Sequence, residues 1–308
     1  MNRARLEVRV ATPADKREIL SLCRRSVRRD YVPMFLDEFI RDDGLFVAFD
    51  QERAVGIINY TPCLGGDGWL GQARTDPEYR RHGVATAIIR ACCRHAAAQG
   101  ARHVRLWSLR TNTPAQITVK SSGFREVAVF RRLMKRVGRR KGESHFVTEK
   151  RPETAWRLVR GSNLLREGSG YASMGTEFVK VNIKVISEAV ATKKIAWLAD
   201  NVCYLDDNVW GDRWKAPLEF TGLAGDIGLM LDEAECFARI KGKREVHTYF
   251  AVGSRSLRTA RRKGYKIVDW GKEAVLFEKP VRPSRARAFG EWKTVEGKGA
   301  SSSTQAVR

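Results

Sequence analysis

Residues 76–86, Asp76-Pro77-Glu78-Tyr79-Arg80-Arg81-His82-Gly83-Val84-Ala85-Thr86, constrain this chain more than any other stretch. An apolar segment with strand character, residues 69–73, runs into it, and a helical pattern, residues 84–93, runs out of it. A turn that leads from a strand into a helix presents unpaired backbone N–H groups and the positive end of the helix dipole. Gly83 permits an unusual dihedral or a close approach to the backbone, and Ala85 keeps the first helical turn slim. Arg80 and Arg81 add full positive charges. Together these features describe a site for a diphosphate, with a tight structural turn bearing solvated arginines as the plainer alternative.

The flanking sequence supplies a sheet and its helices. Residues 6–11 alternate as a strand, and Thr12-Pro13 reads as an N-cap followed by proline at the first helical position. Ile19, Leu20 and Cys23 share a face of the helix that follows, and residues 34–40 form a second helical piece. Residues 45–49 and 54–60 read as strands joined by Asp50-Gln51-Glu52-Arg53. Beyond the turn, residues 104–109 read as a strand and 114–121 as a short helix, and Gly123-Phe124 is expected to start a closing hairpin.

The pattern Arg80-x-x-Gly83-x-Ala85, led by Asp76-Pro77-Glu78-Tyr79, resembles the acetyl-CoA signature of the GNAT (GCN5-related) N-acetyltransferase superfamily. Asn112, Ala115 and Gly123-Phe124 fall at that family's downstream spacing. The resemblance implies an α/β fold, a mixed sheet of the GNAT acyl-CoA N-acyltransferase type, complete across residues 6–136. It also implies acetyl-CoA as co-substrate. Arg80, Arg81, His82, Gly83, Val84, Ala85 and Thr86 would hold the diphosphate. The backbone of residues 73–75, from Ala73 to Thr75, would pair with the pantetheine arm, Thr75 would serve the oxyanion, and Asn112 would contact the arm. Asn112 also reads as a cap or turn residue before Pro114.

A second half echoes the first. Residues 246–252 resemble the strand at 104–109 and are followed by a helical stretch and Gly264. Gly123 follows Val104 by 19 positions and Gly264 follows Val246 by 18. Two closing strands are expected at 266–270 and 274–279, and a hairpin at 194–205. We read a tandem pair. Residues 1–136 form the acetyltransferase domain, 137–152 a basic linker, 153–280 a degenerate GNAT-like domain, and 281–308 a disordered basic tail. The phosphate turn of the second half would be residues 222–228, which hold no arginine or lysine, and Asp226 would repel a diphosphate.

Acetyl transfer needs a neutral amine, a stabilised thioester oxygen and a leaving thiolate that takes a proton. The family's usual tyrosine acid falls at Val119, so that group is missing, with Ser121 and Ser122 as weak stand-ins. The nearest candidates for the base are Asp67, just before the strand at 69–73, and Tyr60 across from it. Asp67 also reads as a turn residue within Gly65-Gly66-Asp67-Gly68.

Charge bears on partners. The chain carries 57 basic and 35 acidic residues, a net +22; residues 1–150 hold 29 basic and 16 acidic, so both halves share the excess. Such a surface attracts CoA phosphates and, nonspecifically, nucleic acid, for which no helix-turn-helix or aromatic RNA-binding signature is present. Asp37, Glu38, Asp42 and Asp43 form a local acidic wall that would favour a cationic amine acceptor, small molecule or protein, or would be an ordinary solvated helix end. The six cysteines form no C-x-x-C pair, no metal site is readable, and no run approaches a membrane span. With no apolar core in residues 1–5, a cytoplasmic protein with reduced thiols is expected. The alternative functions are a catalytically silent acyl-CoA-binding regulator and, behind it, a basic nucleic-acid-binding protein.

Overall fold

The apolar runs of the first half become adjacent antiparallel strands: β1 (Glu7–Val10), β2 (Leu45–Asp50), β3 (Arg53–Pro62) and β4 (Gly68–Thr75). The structure, a computed structural model, describes residues 6–138, 143–148, 151–208, 217–268 and 273–282. Helices α1 (Lys16–Ser26) and α2 (Leu36–Arg41) lie between β1 and β2. Their buried Ile19, Leu22, Cys23, Leu36 and Ile40 close a core over Leu45, Val47 and Ile57. On the opposite side of the sheet α3 (Val84–Ala98) packs through Val84, Ile88, Ile89 and Cys92. Gly56 of β3 makes this fit possible: a Cβ there would stand 2.5 Å from Val84 Cγ1.

After α3 come β5 (His103–Leu109), α4 (Thr113–Ser121) and β6 (Arg125–Arg136). β5 runs parallel to β4, but the two pair only at Gly68–Val104 and Trp69–Arg105 before they part. β6 is one continuous strand of 12 residues, so the hairpin expected after Gly123 does not form.

The second half repeats the order, with β7 (Val147–Thr148), α5 (Pro152–Val159), α6 (Asn163–Glu167), and a hairpin of β8 (Tyr171–Met174) and β9 (Glu177–Lys180). There follow α7 (Ile183–Ala191), β10 (Ile195–Leu198), β11 (Asn201–Asp206), β12 (Leu218–Ala224) and α8 (Ile227–Ile240). The last elements are β13 (Glu245–Ala251), α9 (Arg255–Arg262), β14 (Lys266–Ile267) and β15 (Ala274–Pro280).

The two halves exchange their final strands. β15 lies between β5 and β6, antiparallel to both, where the first half's own hairpin partner would be. In return the C-terminal part of β6 lies between β13 and β14. One 13-stranded sheet results, ordered β1-β2-β3-β4-β5-β15-β6-β13-β12-β11-β10-β7 with β14 on β6. Alternation along β15 joins two cores. Val275 and Phe277 enter the α3 core, and Leu276 enters the core that holds α5, α7 and the β8–β9 hairpin. That second core also takes Trp69 of the first half, stacked on Phe178 at 6.2 Å. Arg139 to Gly142 of the expected linker, Asp269-Trp270 of the expected closing strand, and the tail beyond Arg282 lie outside the described residues.

Candidate cofactor and acceptor site

The turn between β4 and α3 is open. Gly83 is the N-cap of α3 with φ 82°, no side chain caps the helix there, and a Cβ on Gly83 would meet nothing within 4 Å. Arg80, Arg81 and His82 are exposed, and no acidic side chain among the described residues pairs with any of them. Val84 is buried, and Ala85 and Thr86 are half-buried at the first turn. Below the turn, Asp76 is 1% exposed and anchors it, accepting from Arg25 Nε at 2.8 Å, Arg53 Nη2 at 2.9 Å and the Glu78 N–H at 3.2 Å. Burial alone would raise the Asp76 carboxyl, but these donors hold it below its ordinary range. The concentration of positive charge and free N–H groups at a helix start is what a diphosphate requires.

β4 supplies an open edge beside this turn. Its register with β3 shifts between Ile57 and Asn59, and Gln72 takes φ 53°, a bulge. Past Trp69 it has no strand partner on its β5 side among the described residues. Residues 71–75 therefore offer backbone groups to an extended chain along that edge. Thr75 sits opposite Gly56, and Ala73 is exposed. Arg74 binds Asp30 through Nη2 at 2.6 Å and Nε at 2.8 Å, with its Nη1 on the Ala73 carbonyl at 2.9 Å. The loop after α1 is thereby clamped onto the strand. No local pattern in the sequence ties Arg74 to a carboxylate 44 residues away.

Other expected site residues have different surroundings. Asn112 is the N-cap of α4, its Oδ1 accepting from the Ala115 N–H at 3.3 Å. Val119 is buried in the α3 core. Asp67 accepts from the N–H groups of Arg102 (3.2 Å) and His103 (3.0 Å) and from Arg105 Nη2 (2.8 Å). It lies five residues before Gln72, roughly 16 Å along an extended strand. Tyr60 is 3% exposed, packs edge-on against His95 at 5.1 Å, and burial pushes its phenol well above the ordinary range. The fold sets Asp67 and Tyr60 at one end of β4 and the Arg80–Thr86 turn at the other. In the acidic wall, Asp37 pairs with Lys16 at 2.7 Å and Asp42 with Arg41 at 3.3 Å, so its charge is partly neutralised.

The corresponding place in the second half is filled. β12 and β13 pair from Leu218–Val246 to Phe220–Thr248 and then part, as β4 and β5 do. Here α6 occupies the gap. Ser162 Oγ donates to the Leu223 carbonyl at 2.5 Å, and Leu164 Cδ1 stands 3.2 Å from where a Gly222 Cβ would be. Leu164 packs on the α8–α9 core while Leu165 belongs to the core on the other side. Glu167 accepts from the Arg255 N–H at 2.9 Å, at the start of α9. The Asp226 carboxylate caps α8, taking the N–H groups of Gly228 (2.7 Å) and Leu229 (3.1 Å). The helix start that would bind phosphate is thus occupied by the chain's own anion.

All six cysteines are free thiols. Among the described residues no helix is long and apolar enough to cross a membrane, and no group of three or more His, Cys, Asp or Glu side chains could hold a metal ion.

Residues 15–124 match the Acetyltransferase (GNAT) family. A mycothiol acetyltransferase of Mycobacterium marinum is 33% identical over 89 residues, which is 28% of this chain and 27% of that protein. The chain thus aligns with only about a quarter of the length of this curated relative. Among solved structures, a candidate acetyltransferase from Thermoplasma acidophilum superposes with a TM-score of 0.60 at 13% identity, over 89% of this chain and 99% of that one. A tandem GNAT protein from the clavulanic acid biosynthesis pathway superposes with a TM-score of 0.53 at 11% identity, over 91% and 99%.

Proposed function

We propose that this chain, whose residues 15–124 match the Acetyltransferase (GNAT) family and whose fold superposes on that of a tandem GNAT protein, moves an acetyl group from acetyl-CoA to a primary amine by direct transfer, at one site in its first half. The observation that carries this reading is the pairing of an uncapped, cation-flanked start of α3 with the open edge of β4. The diphosphate lies on the N–H groups at Gly83, Val84 and Ala85, with Arg80, Arg81, His82 and Thr86 around it. The pantetheine arm extends along residues 73–75 as an added strand, which brings the thioester toward the bulge at Gln72. The 33% identity to a mycothiol acetyltransferase over 89 residues supports acetyl transfer as the reaction class.

In the transfer the amine lone pair attacks the thioester carbonyl carbon, the C–S bond breaks, and the amine proton passes to the departing thiolate or to solvent. A backbone N–H at Thr75 stabilises the oxyanion. A thiol has a pKa of about 8.5, so its thiolate leaves near neutral pH without a dedicated acid. The absence of a phenol at Val119 is compatible with turnover on that account. With Asp67 held by backbone N–H groups and Arg105, and Tyr60 enclosed, the acceptor enters as the free base.

The reading is tested by release of CoA thiol from acetyl-CoA in the presence of a broad amine panel and a metabolite extract, with labelled acetyl groups to trap the product. Amine-dependent release is expected. The buried Val119 favours one second reading, a silent acyl-CoA binder. Tight acetyl-CoA binding with no release on any amine would establish that instead.

A further inference from the structure

A cavity of about 260 Å³ lies where the loop after β3 meets the second half. Leu64 and Cys63 line it from one side, and Met174, Val179, Glu177 and Asp206 from the other. The loop is tied down beside it, with the Gly65 N–H donating to Glu188 of α7 at 2.6 Å. Three oxygens converge next to Gly175, which has φ 76°. Measured from where its Cβ would be, Asp206 Oδ2 is at 3.5 Å, Glu177 Oε2 at 3.7 Å and Tyr204 Oη at 3.9 Å. The missing side chain leaves the space in front of them open.

These groups are not equally satisfied. Asp206 Oδ2 accepts from Lys194 Nζ at 2.6 Å and from Tyr204 Oη at 3.1 Å, and its Oδ1 accepts from the Asn208 N–H at 3.1 Å. Glu177 Oε1 accepts from Thr176 Oγ1 at 2.8 Å. Glu177 makes no ion pair among the described residues; its carboxyl is eased only by Thr176, its own backbone N–H and the charge of Lys194 nearby. Burial and the neighbouring Asp206 charge raise its carboxyl above the ordinary range, against the Thr176 hydroxyl, its own N–H and Lys194. Lys194 pairs with Asp206, so of the two carboxylates that face the cavity Glu177 is the one without an ion pair among the described residues. An anion would meet two carboxylates. A neutral alcohol would supply the donor without the charge. The apolar side chains of Leu64, Met174 and Val179 suit a short aliphatic stem.

We propose that this cavity binds a small molecule through a primary ammonium group that donates to Glu177 Oε2, with its aliphatic part against Met174 and Val179. The site is built by both halves, goes beyond the proposed acetyl transfer, and shares no residue with the β4–α3 turn. It gives a ligand-binding task to a second half whose own cofactor slot is filled.

The test uses the full chain, with n-butylamine as probe and n-butanol as the uncharged control, read by saturation-transfer NMR at neutral pH. Butylamine should give a clear transfer signal and butanol little. Glu177→Gln, nearly the same shape without the charge, should cut the butylamine signal at least fivefold. Should that variant fail to fold, Thr192→Phe decides: Thr192 is an exposed lining residue, and the larger ring there should block entry and give the same loss. No butylamine signal with the wild-type chain, an equal signal from butanol, or an undiminished signal in a folded variant would each overturn the proposal. Acetyl-CoA titration of the same samples reads the proposed function separately, because neither substitution touches residues 73–86.

Discussion

Arg105 and Glu278, 173 residues apart in the chain, form a salt bridge of 2.9 Å with both side chains sealed from solvent. Tyr171 Oη donates to the same carboxylate oxygen at 2.9 Å, and Asp67 takes the other side of the guanidinium at 2.8 Å. Strands β5, β8 and β15 are thereby joined at one buried point. Removing one partner of such a pair leaves an uncompensated buried charge. Glu278→Ala should lower unfolding stability by about 3 kcal/mol, the low end of the usual range because Asp67 still holds Arg105. Urea unfolding checks this, and a loss below about 1 kcal/mol would mean the bridge is not a structural anchor.

The exchange of β15 and β6 predicts that the first half cannot stand alone. Residues 1–150 would lack the strand between β5 and β6, leaving two unpaired edges and exposing Val104, Leu106 and Phe124, which Val275 and Phe277 share a core with. Expressed alone, this fragment should be insoluble or unfolded by circular dichroism. Supplying residues 151–308 in the same cell should restore a soluble complex. A folded, monomeric fragment would show that the exchange is dispensable.

The sequence made the β4–α3 turn legible because every signal there is local: Arg80, Gly83 and Ala85 act within one strand-turn-helix unit. The tandem order was legible from a repeated spacing. The strand exchange was not, because β6 and β15 each carry ordinary strand character and nothing local says which neighbour a strand will choose. The same holds for Arg74 with Asp30 and Asp67 with Arg105, whose pairing depends on the assembled sheet. Asn112 shows how a polar residue before proline serves as a helix cap, whatever else it contacts. The α6 plug, Asn163–Glu167, was not legible either, since a segment that fills a slot has no reason to resemble one that leaves it open.

Asp226 is a helix cap, which gives the closed second half a direct test. Asp226→Ala should cost about 1 kcal/mol of stability through the lost cap. It should not create acetyl-CoA binding, because Leu164 and Ser162 still fill the gap beside β12. Gain of a second site in this variant would mean that the carboxylate alone kept the cofactor out.

The Asp15 carboxyl is held down to about 2, first by the hydrogen bond from Arg9, against the opposing effect of burial, and then by the Thr12 backbone and hydroxyl. Its unfolded value is about 3.9. A lowered carboxyl contributes stability that is complete above the unfolded value and lost as pH falls through the folded one. The stability gap between wild type and Asp15→Asn should therefore be constant from neutral pH down to about 5 and shrink between about pH 4 and pH 2. A gap that widened in acid would contradict this assignment.

Titration calorimetry of the full chain with acetyl-CoA tests the central claim most directly. The account predicts one site per chain, abolished by Gly83→Glu, whose carboxylate would project into the open space where nothing stands within 4 Å and repel the diphosphate. The positive φ of 82° adds strain of about 1–2 kcal/mol, so circular dichroism must show the variant folded. One site in the wild type and none in the folded variant is the expected result. Two equivalent sites, or binding undiminished in folded Gly83→Glu, would contradict it.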